Sequence, residues 1–411
     1  MRSSSSFRMG SREKTGTLYD ERRASMKSLK SLRLQKLPPY IFHEIDQKKK
    51  ALIAEGKNLV DLGIGDPDLA TPRSIIERLC QTAQDQANHR YPSYNGMPEF
   101  RKAAASWLER RFSIAADPQT EIMSVIGSKE GLANFTFATV NPGDFTLMPD
   151  PAYPVYANAT LLAGGTPAYY PLKKENHFRP KWAEISESVW STIRVVYVNF
   201  PHNPTSATVT LDTYTELVDR AKHFGFIICS DGAYCEQGYS SLPPCLLQVP
   251  GARDVGVEFF SLSKSHNMTG WRVGFAAGNK ELIAALHQMK STLDSGVFQP
   301  IQHAAITAFT GNDAELIEPS REVYQYRRRL MIEGLHRLGY EVFDGGATFY
   351  LWITCPKGKS SANFCTELLE KGVVVTPGSG FGKGGEGYFR MALTVPEERL
   401  KEALKRMPSN V

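Results

Sequence analysis

Two hydrophobic patterns alternate along the middle of the chain, from about residue 120 to residue 275. Apolar runs of strand length, such as residues 195–200, 226–229 and 255–260, lead into polar segments. Segments with helical periodicity separate these runs, which is typical of parallel strands joined by crossover helices. The pattern therefore predicts an α/β fold in which a mostly parallel sheet is flanked by helices.

The two ends of the chain have a different pattern. Beyond residue 310 an amphipathic segment at roughly residues 318–338 predicts a long helix, and apolar runs at 349–353 and 373–375 predict short strands. Near the start, residues 41–55 repeat apolar positions with a helical period. These elements predict a smaller α+β domain built from both chain ends.

We expect four segments along the chain. Residues 1–35 are rich in Ser, Arg and Lys and predict a disordered N-terminal extension. A transit peptide and a start at Met26 are alternatives that the sequence leaves open. Residues 36–70 predict an N-terminal arm with part of the small domain, residues 71–310 a large domain and residues 311–411 the small C-terminal domain.

Composition limits the classes of function. The chain has 411 residues, 42% of them hydrophobic, and a formal net charge of +5 without a long single-sign tract. A solvated surface explains this charge better than a nucleic-acid interface does. The sequence contains no apolar run of membrane-spanning length and no signal-peptide core after its start. We therefore expect a cytoplasmic protein without a nucleic-acid or membrane partner.

The sequence contains no complete motif for binding a metal or a nucleotide. None of the six cysteines forms a Cys-x-x-Cys pair or accompanies a histidine cluster, so no metal site is expected and reduced thiols are the default. The glycine-rich segment 61–68 lacks the third glycine of a dinucleotide fingerprint. Gly382-Lys383 lacks both the first glycine and the following Ser or Thr of a P-loop.

Asn203, Asp231 and Lys264 each come shortly after one of the predicted strands. Because ligands bind beyond the carboxyl ends of the strands in open α/β sheets, we expect these side chains to meet in one crevice. Partial desolvation of a lysine at the exit of a buried strand lowers its pKa, which makes neutral amine available for Schiff-base chemistry. A lone lysine after a strand is more often a solvated surface residue, so its neighbours decide between the two interpretations.

The neighbours of Lys264 provide the groups that pyridoxal phosphate (PLP) requires from a protein. Asp231 offers a carboxylate to the pyridine nitrogen, although a helix N-cap would also explain this residue. Asn203 and Tyr234 can donate hydrogen bonds to the phenolate oxygen. The strand-to-helix turn at residues 127–131 predicts backbone amides that favour an anion. Side-chain donors for the phosphate are Ser128, Ser261, Ser263 and Arg272.

Two residues farther along the chain complete the predicted site. Tyr153 follows a Pro-Asp-Pro-Ala segment and can stack on the cofactor ring, or it is an ordinary loop aromatic. Arg390 lies in a short apolar segment, where its guanidinium fork can bind the α-carboxylate of an amino acid in bidentate fashion.

In order and spacing these residues resemble the class I and II aminotransferases, which are fold-type I PLP enzymes. Narrower segments are similar to the LL-diaminopimelate aminotransferases, a resemblance that implies amino-group exchange between LL-2,6-diaminopimelate and 2-oxoglutarate. The reaction would link tetrahydrodipicolinate and glutamate to these compounds in lysine biosynthesis. The narrower segments are residues 91–96, 127–131, 150–156, 254–259 and 267–272.

The resemblance also implies a role for each matching residue. Lys264 would bond to the cofactor aldehyde and, once displaced, move the proton between the substrate α-carbon and the cofactor. The implied catalytic residues are Lys264, Asp231 and Tyr153. The implied cofactor-binding residues are Ser128, Lys129, Tyr153, Asn203, Asp231, Tyr234, Ser261, Ser263, Lys264, Arg272 and Tyr94. The implied substrate-binding residues are Tyr40, Gly65, Lys129, Asn203 and Arg390.

The family further implies a homodimer with shared active sites, whose substrates are small amino acids and 2-oxo acids. Tyr94 would reach the cofactor phosphate of the neighbouring subunit, and Gln299 is a candidate for the distal end of the substrate in the same way. The chain departs from the family at His202, where a small polar residue is usual, and at Gly232, where alanine is expected.

Two alternatives stay open. The first keeps the chemistry and changes the substrate, as in an aspartate, alanine or aromatic amino-acid aminotransferase. The second is a PLP-binding regulator on the same scaffold, which requires a DNA-binding module. Residues 1–35 are too short and irregular for a helix-turn-helix, so the sequence favours the enzyme.

Overall fold

A computed structural model describes residues 29–38 and 41–410 of the chain. Residues 29–38 belong to a unit of their own and contain the short helix α1 (Leu32–Gln35). Ser31 begins this helix, because its hydroxyl accepts a hydrogen bond of 3.3 Å from the amide of Leu34. Residues 1–28 of the expected extension and Tyr40 lie outside the described residues.

Several strands in the rest of the described chain, β5, β6, β7 and β10 among them, lie where short apolar runs occur in the sequence. In chain order they are β1 (Val60–Asp61), β2 (Ile122–Val125), β3 (Phe145–Asp150), β4 (Thr166–Pro171), β5 (Ile193–Val198), β6 (Ile227–Asp231), β7 (Gly256–Ser261), β8 (Gly274–Gly278), β9 (Val342–Phe343), β10 (Tyr350–Thr354), β11 (Val373–Val374), β12 (Thr376–Pro377) and β13 (Tyr388–Ala392).

The helices alternate with the strands through the middle of the chain. They are α2 (Ile41–Ala54), α3 (Arg73–Ala83), α4 (Pro98–Phe112), α5 (Ser128–Thr139), α6 (Val155–Ala163), α7 (Glu187–Trp190), α8 (Leu211–Phe224), α9 (Ala252–Val255), α10 (Leu262–Ser265), α11 (Lys280–Leu293), α12 (Gln299–Thr310), α13 (Asp313–Leu316), α14 (Glu318–Arg337), α15 (Ser361–Glu370) and α16 (Glu397–Arg406).

The largest sheet in the described chain has seven strands in the order β2-β8-β7-β6-β5-β3-β4. The strands from β7 to β4 pair in parallel, whereas β8 is antiparallel to both β2 and β7. β2 therefore runs in the same direction as β7. This arrangement confirms the mostly parallel sheet that the sequence predicts, and it places the carboxyl ends of six strands at one edge.

Both faces of the inner strands of this sheet are buried, which explains the nearly continuous apolar runs in strands such as β5 and β7. Successive residues of a strand point to opposite faces. In β5, Val195 and Tyr197 pack in one hydrophobic cluster and Val196 and Val198 pack in another. A sheet covered by helices on both faces favours apolar residues at successive positions of its strands, as in other parallel sheets.

Two smaller sheets lie outside the seven-stranded sheet, and one of them joins the two ends of the described chain. β12, β13, β10 and β9 form an antiparallel sheet, and β1 pairs with β11 in parallel, with Val60 opposite Val373. α14 (Glu318–Arg337) agrees with the long helix predicted at 318–338. An element from before residue 62 thus pairs with an element from beyond residue 372. The domain limits at residues 70 and 310 stay predictions.

Three further findings concern the described part of the chain. Among its helices, none is long and apolar enough to cross a membrane. All six cysteines are free thiols. The described residues contain no group of three or more His, Cys, Asp or Glu side chains arranged to hold a metal ion.

Candidate active site

One cavity of about 390 Å³ opens at the edge where the parallel strands end. β6 ends at Asp231, and Lys264 follows β7 in the single turn of α10. The structure brings together twelve of the residues singled out in the sequence. The cavity is lined by Gly65, Ser128, Lys129, Tyr153, Asn203, Asp231, Tyr234, Ser261, Ser263, Lys264, Arg272 and Arg390.

Lys264 is held in the cavity by its neighbours in sequence and space. Ser261 begins α10, since its hydroxyl accepts a hydrogen bond of 3.2 Å from the amide of Ser263. The Nζ of Lys264 donates to the carbonyl of Gly65 at 2.8 Å. A Cβ on Gly65 would lie 1.9 Å from the hydroxyl of Tyr350, so only glycine fits at this approach.

The amine of Lys264 is easier to deprotonate than an ordinary lysine amine. Burial lowers the pKa of the Lys264 ammonium to about 8, against the opposing charge of Asp66. The positive charges of Arg390 and Arg272 lower the pKa further. A substantial fraction of this side chain is therefore a neutral amine at slightly alkaline pH, as the sequence interpretation requires.

Asp231 is the last residue of β6 and is only 5% exposed. Its Oδ2 accepts a hydrogen bond of 2.8 Å from the hydroxyl of Tyr156, and its Oδ1 accepts one of 3.3 Å from the amide of Ala233. Burial raises the pKa of the Asp231 carboxyl to about 6, while the hydrogen bonds from Tyr156 and Ala233 act in the opposite direction. The carboxyl is thus ionised above pH 6 and keeps its orientation.

The loop after β5 is tied to the end of β6 by Asn199. Its side-chain amide donates to the carbonyl of Asp231 at 2.7 Å, and its Oδ1 accepts from the amide of Asn203 at 2.9 Å. His202 is fully buried and its Nδ1 lies 2.8 Å from the hydroxyl of Thr205. Because burial lowers the pKa of His202 to about 3, this ring is neutral and supports the loop.

Arg390 lies on β13 of the small antiparallel sheet, with 3% of its surface exposed. Its Nη1 donates to Oδ1 of Asn203 and its Nη2 to the carbonyl of Gly63, both at 2.8 Å. Its Cζ lies 4.2 Å from the ring centroid of Tyr350 and 4.8 Å from that of Phe381. The guanidinium is therefore stacked, desolvated and fixed in the cavity wall, while its buried Nε has no hydrogen-bond partner.

The turn between β2 and α5 forms the part of the cavity suited to an anion. Gly127 has a φ of +78°, and a Cβ there would lie 2.3 Å from Nη2 of Arg272. Arg272 in turn donates from Nη1 to the carbonyl of Thr269 at 2.8 Å. The amino end of α5 therefore lies close to the guanidinium of Arg272. Ser128, Ser261 and Ser263 line the same cavity.

Some residues singled out in the sequence lie elsewhere. Tyr94 is 42% exposed, does not line the cavity, and its ring makes an edge contact of 6.4 Å between centroids with His287. Gln299 begins α12, and its side-chain amide donates to the carbonyl of Arg90 at 3.5 Å.

Tyr234 lines the cavity, and its hydroxyl lies 2.9 Å from that of Tyr350.

Sequence reasoning missed several residues of the site. Tyr156, Asn199 and Tyr350 make contacts with the predicted residues, and the cavity lining also includes Ile64, Ala233 and Thr269. Asn199 carried a usable signal, because a polar amide near the end of an apolar strand needs a buried partner. Tyr156 lies one helical turn beyond Tyr153, but nothing in the sequence connects it to Asp231.

The departure at Gly232 has a structural reason. A Cβ at this position would lie 2.9 Å from Oε1 of Glu258, a side chain that is only 1% exposed. The Oε2 of Glu258 accepts a hydrogen bond of 2.7 Å from the thiol of Cys245, and its Oε1 accepts one of 3.2 Å from the hydroxyl of Ser230. The glycine after Asp231 therefore makes room for a buried carboxyl on the adjacent strand.

Comparison with known proteins agrees with this geometry. Residues 57–407 match the model of the family aminotransferase class I and II. The LL-diaminopimelate aminotransferase of Aquifex aeolicus is 51% identical over 91% of this chain and 97% of the relative. The LL-diaminopimelate aminotransferase of Syntrophobacter fumaroxidans is 48% identical over 93% of this chain and 99% of the relative.

Solved structures have the same fold. Substrate-bound BacF from Bacillus subtilis has a TM-score of 0.89 and 31% identity, covering 92% of this chain and 97% of its own. The aspartate aminotransferase of Thermus thermophilus with maleate has a TM-score of 0.88 and 28% identity, covering 93% of this chain and all of its own (100%). The chain therefore belongs to the class I and II aminotransferases, a PLP-dependent family of fold type I, and is a transaminase.

Proposed function

We propose that this enzyme exchanges an amino group between LL-diaminopimelate and 2-oxoglutarate, with PLP as its cofactor. One observation carries the chemistry: an amine, a buried carboxylate, an anion pocket and a buried guanidinium border the same cavity. The choice of diaminopimelate is supported by the names of two relatives that match nearly the whole chain at 51% and 48% identity. The alternatives with aspartate, alanine or an aromatic amino acid share the chemistry and differ in the substrate.

The residues present fit PLP group by group. Lys264 offers its Nζ to the aldehyde, and Asp231 offers a carboxylate to the pyridine nitrogen. Gly127 and Arg272 approach each other closely at the start of α5, so the backbone amides there and the guanidinium would bind the phosphate. Asn203, Tyr234 and Tyr153 line the cavity, where Asn203 and Tyr234 would donate to the phenolate oxygen and Tyr153 would stack on the ring. When bound, PLP supplies an electrophilic carbon for the amino group and a ring that accepts electron density from the substrate α-carbon.

Asp231 acts by holding a proton on the pyridine nitrogen. With a pKa of about 6 the carboxyl is ionised at neutral pH, so that it favours the protonated ring. The hydroxyl of Tyr156 donates to Oδ2 and keeps the carboxylate from rotating. A low-dielectric surrounding strengthens the attraction between the carboxylate and the positive ring nitrogen.

Lys264 acts by moving a proton at the α-carbon of the substrate. A general base works best when its pKa is near the working pH, and the pKa of about 8 of this amine meets that condition. The carbonyl of Gly65 accepts a hydrogen bond from Nζ and holds the amine over the cavity. Proton transfer therefore uses a base that is already oriented.

Arg390 acts by binding the α-carboxylate of the amino acid or oxo acid. Its fork matches a carboxylate in bidentate geometry, and its hydrogen bonds to Asn203 and Gly63 fix its plane before substrate arrives. Because the guanidinium is only 3% exposed, its attraction for a carboxylate is weakened little by water. Lys129 and Gly65 border the same space and complete the proposed substrate contacts.

We infer that the enzyme works as a homodimer in the cytoplasm. Tyr94 lies outside the cavity of its own chain and is partly exposed, which suits a contact with the phosphate site of a second subunit. The proposed roles of Gln299 at the distal end of the substrate and of Tyr40 in substrate binding rest on the family resemblance alone.

The cofactor proposal is tested by the visible absorbance of the purified enzyme. Wild type is expected to have a band characteristic of PLP bonded to a lysine, and Lys264→Ala is expected to lose it. Lys280→Ala is a matched control, since Lys280 is exposed at the start of α11. A colourless wild-type protein that does not take up added PLP would refute the proposal.

The substrate proposal is tested by an amino-donor screen with 2-oxoglutarate as acceptor. We expect LL-diaminopimelate to have the highest kcat/KM, compared with aspartate, alanine, phenylalanine and tyrosine. If another donor is faster, the substrate assignment is wrong and the transaminase chemistry stands.

A further inference from the structure

A fully buried lysine lies behind the turn that begins α5. The side chain of Lys290 on α11 has 0% exposure and donates from Nζ to Oε1 of Glu130 and to Oδ2 of Asp294, both at 2.8 Å. A buried ammonium is costly unless it is paired and hydrogen-bonded. Here two carboxylates meet that requirement, and one of them belongs to the first turn of α5.

Glu130 connects this lysine to the backbone of the anion-binding turn. Its Oε2 accepts a hydrogen bond of 2.6 Å from the amide of Ile126, while Oε1 faces Lys290 and the side-chain amide of Asn134. An acidic side chain at the third position of a helix commonly turns back to bind an amide before the helix. The carboxylate of Glu130 therefore connects Lys290 on α11 with the backbone amide of Ile126.

The same turn is fixed from its other side by Arg272. The carbonyl of Ile126 accepts from Nη2 of Arg272 at 3.4 Å, and Gly127 packs against that nitrogen without space for a Cβ. Ile126 is thus held at its amide by Glu130 and at its carbonyl by Arg272. Small rotations of this peptide would turn the amides at the start of α5 away from an anion.

We propose that Lys290, acting through Glu130, is a positioning residue for the phosphate of the cofactor. It holds the turn at residues 126–128 in the conformation that presents the α5 amides to the phosphate. This inference rests on the proposed function, because it takes the phosphate to bind at this turn. Neither Lys290 nor Glu130 is among the residues that line the cavity, so they act on the phosphate site from behind it.

The test compares PLP with pyridoxal, which has the same ring and aldehyde but no phosphate. Apoenzyme is titrated with each compound, and binding is followed by the quenching of intrinsic fluorescence. For Lys290→Met we expect the Kd for PLP to rise roughly tenfold to a hundredfold, as for the loss of a charged hydrogen bond. The Kd for pyridoxal is expected to change by less than about twofold. Lys280→Met, an exposed lysine on the same helix, is the control and leaves both values unchanged.

A second variant keeps the test decisive if Lys290→Met does not fold. Glu130→Gln leaves Lys290 paired with Asp294, so that no unpaired charge is buried. Ile126 and Lys290 donate to different oxygens of Glu130, and glutamine replaces one of these oxygens with an NH2 donor. One of the two hydrogen bonds is therefore lost in either orientation of the amide, and the same selective loss of PLP affinity is expected. Equal losses for PLP and pyridoxal, or an unchanged Kd for PLP, would overturn the role of Lys290. Wild-type apoenzyme that binds neither compound would overturn the proposed function instead.

Discussion

Arg390 donates a hydrogen bond of 2.8 Å from Nη1 to Oδ1 of Asn203, and this contact joins two separate sheets. Arg390 belongs to the small antiparallel sheet, and Asn203 belongs to the loop that follows β5 of the large sheet. Nη2 of the same guanidinium donates to the carbonyl of Gly63, which comes from the N-terminal part of the chain. The proposed carboxylate site is therefore assembled from three distant parts of the sequence.

Arg390→Lys should weaken substrate binding more than it slows turnover. Lysine keeps the charge but loses the planar fork, so it cannot hold the α-carboxylate and its present partners together. We expect KM for both the amino acid and the oxo acid to rise roughly tenfold to a hundredfold, as for the loss of a charged hydrogen bond. Steady-state kinetics with each substrate varied in turn measure this effect. Arg329→Lys, at an exposed position of α14, is the control, and an unchanged KM in Arg390→Lys would contradict the role.

Asp231 should make the apoprotein less stable as the pH rises. Its folded-state pKa of about 6 is above the ordinary 3.8, so its contribution to stability is greatest below pH 4 and is lost as the pH rises through 6. Relative to Asp231→Asn, wild-type apoprotein should therefore lose about 2–3 kcal/mol of unfolding free energy between pH 4 and pH 7. Urea denaturation at several pH values gives this difference. Parallel profiles for wild type and variant would show that the carboxyl is not perturbed, and Asp212→Asn, at an exposed position of α8, is the control.

Lys264 should react as an amine with a midpoint near pH 8. In apoprotein, the rate at which an acylating reagent labels Lys264 reports the neutral fraction, and mass spectrometry of the labelled peptide measures it. Because the charge of Arg390 helps to lower the pKa of Lys264, Arg390→Met should raise the midpoint, by less than about one unit. Arg329→Met provides the matched control. A midpoint that stays in place, or moves down, would mean that Arg390 does not act on this amine.

A chain that carries Tyr94→Ala and a chain that carries Lys264→Ala should restore activity when they form a hybrid dimer. If Tyr94 serves the site of the second subunit, a hybrid of Tyr94→Ala and Lys264→Ala chains contains one intact site. Random reassociation of equal amounts of the two inactive variants should then restore about a quarter of wild-type activity, because half of the dimers carry one working site of two. Activity after mixing, unfolding and refolding is the measurement. The absence of recovery, with hybrid dimers present by native mass spectrometry, would place Tyr94 in the site of its own chain.

The ends of the strands could be predicted from sequence because apolar runs and the polar residues after them are local features. This pattern identifies Asp231 and Lys264, and the structure places both at the same edge of the sheet. The pattern gave the boundaries less accurately, since β6 continues beyond the apolar run and ends at Asp231 itself. A polar last residue belongs to the strand when its backbone pairs with a neighbour, as Asp231 does with Phe259.

The contacts that tune the site could not be predicted, because they join residues far apart in sequence. Tyr156 and Asp231 are brought together by the packing of α6 near the end of β6, and no periodicity encodes that approach. The same is true of Tyr350, whose ring covers Arg390 and whose hydroxyl excludes a side chain at Gly65. Composition and local pattern identify the reactive groups, and the tertiary structure determines their pKa values and orientation.

β8 is antiparallel to its neighbours β2 and β7, and this orientation limits the distance between the amine of Lys264 and the guanidinium of Arg272. Since its amino end lies at the edge where β7 ends, the chain needs only residues 262–273 to pass from one strand to the next. Lys264 and Arg272 both belong to this short connection. A change in the length of a crossover helix elsewhere would therefore leave unaltered the span from amine to guanidinium, which the proposed cofactor would bridge.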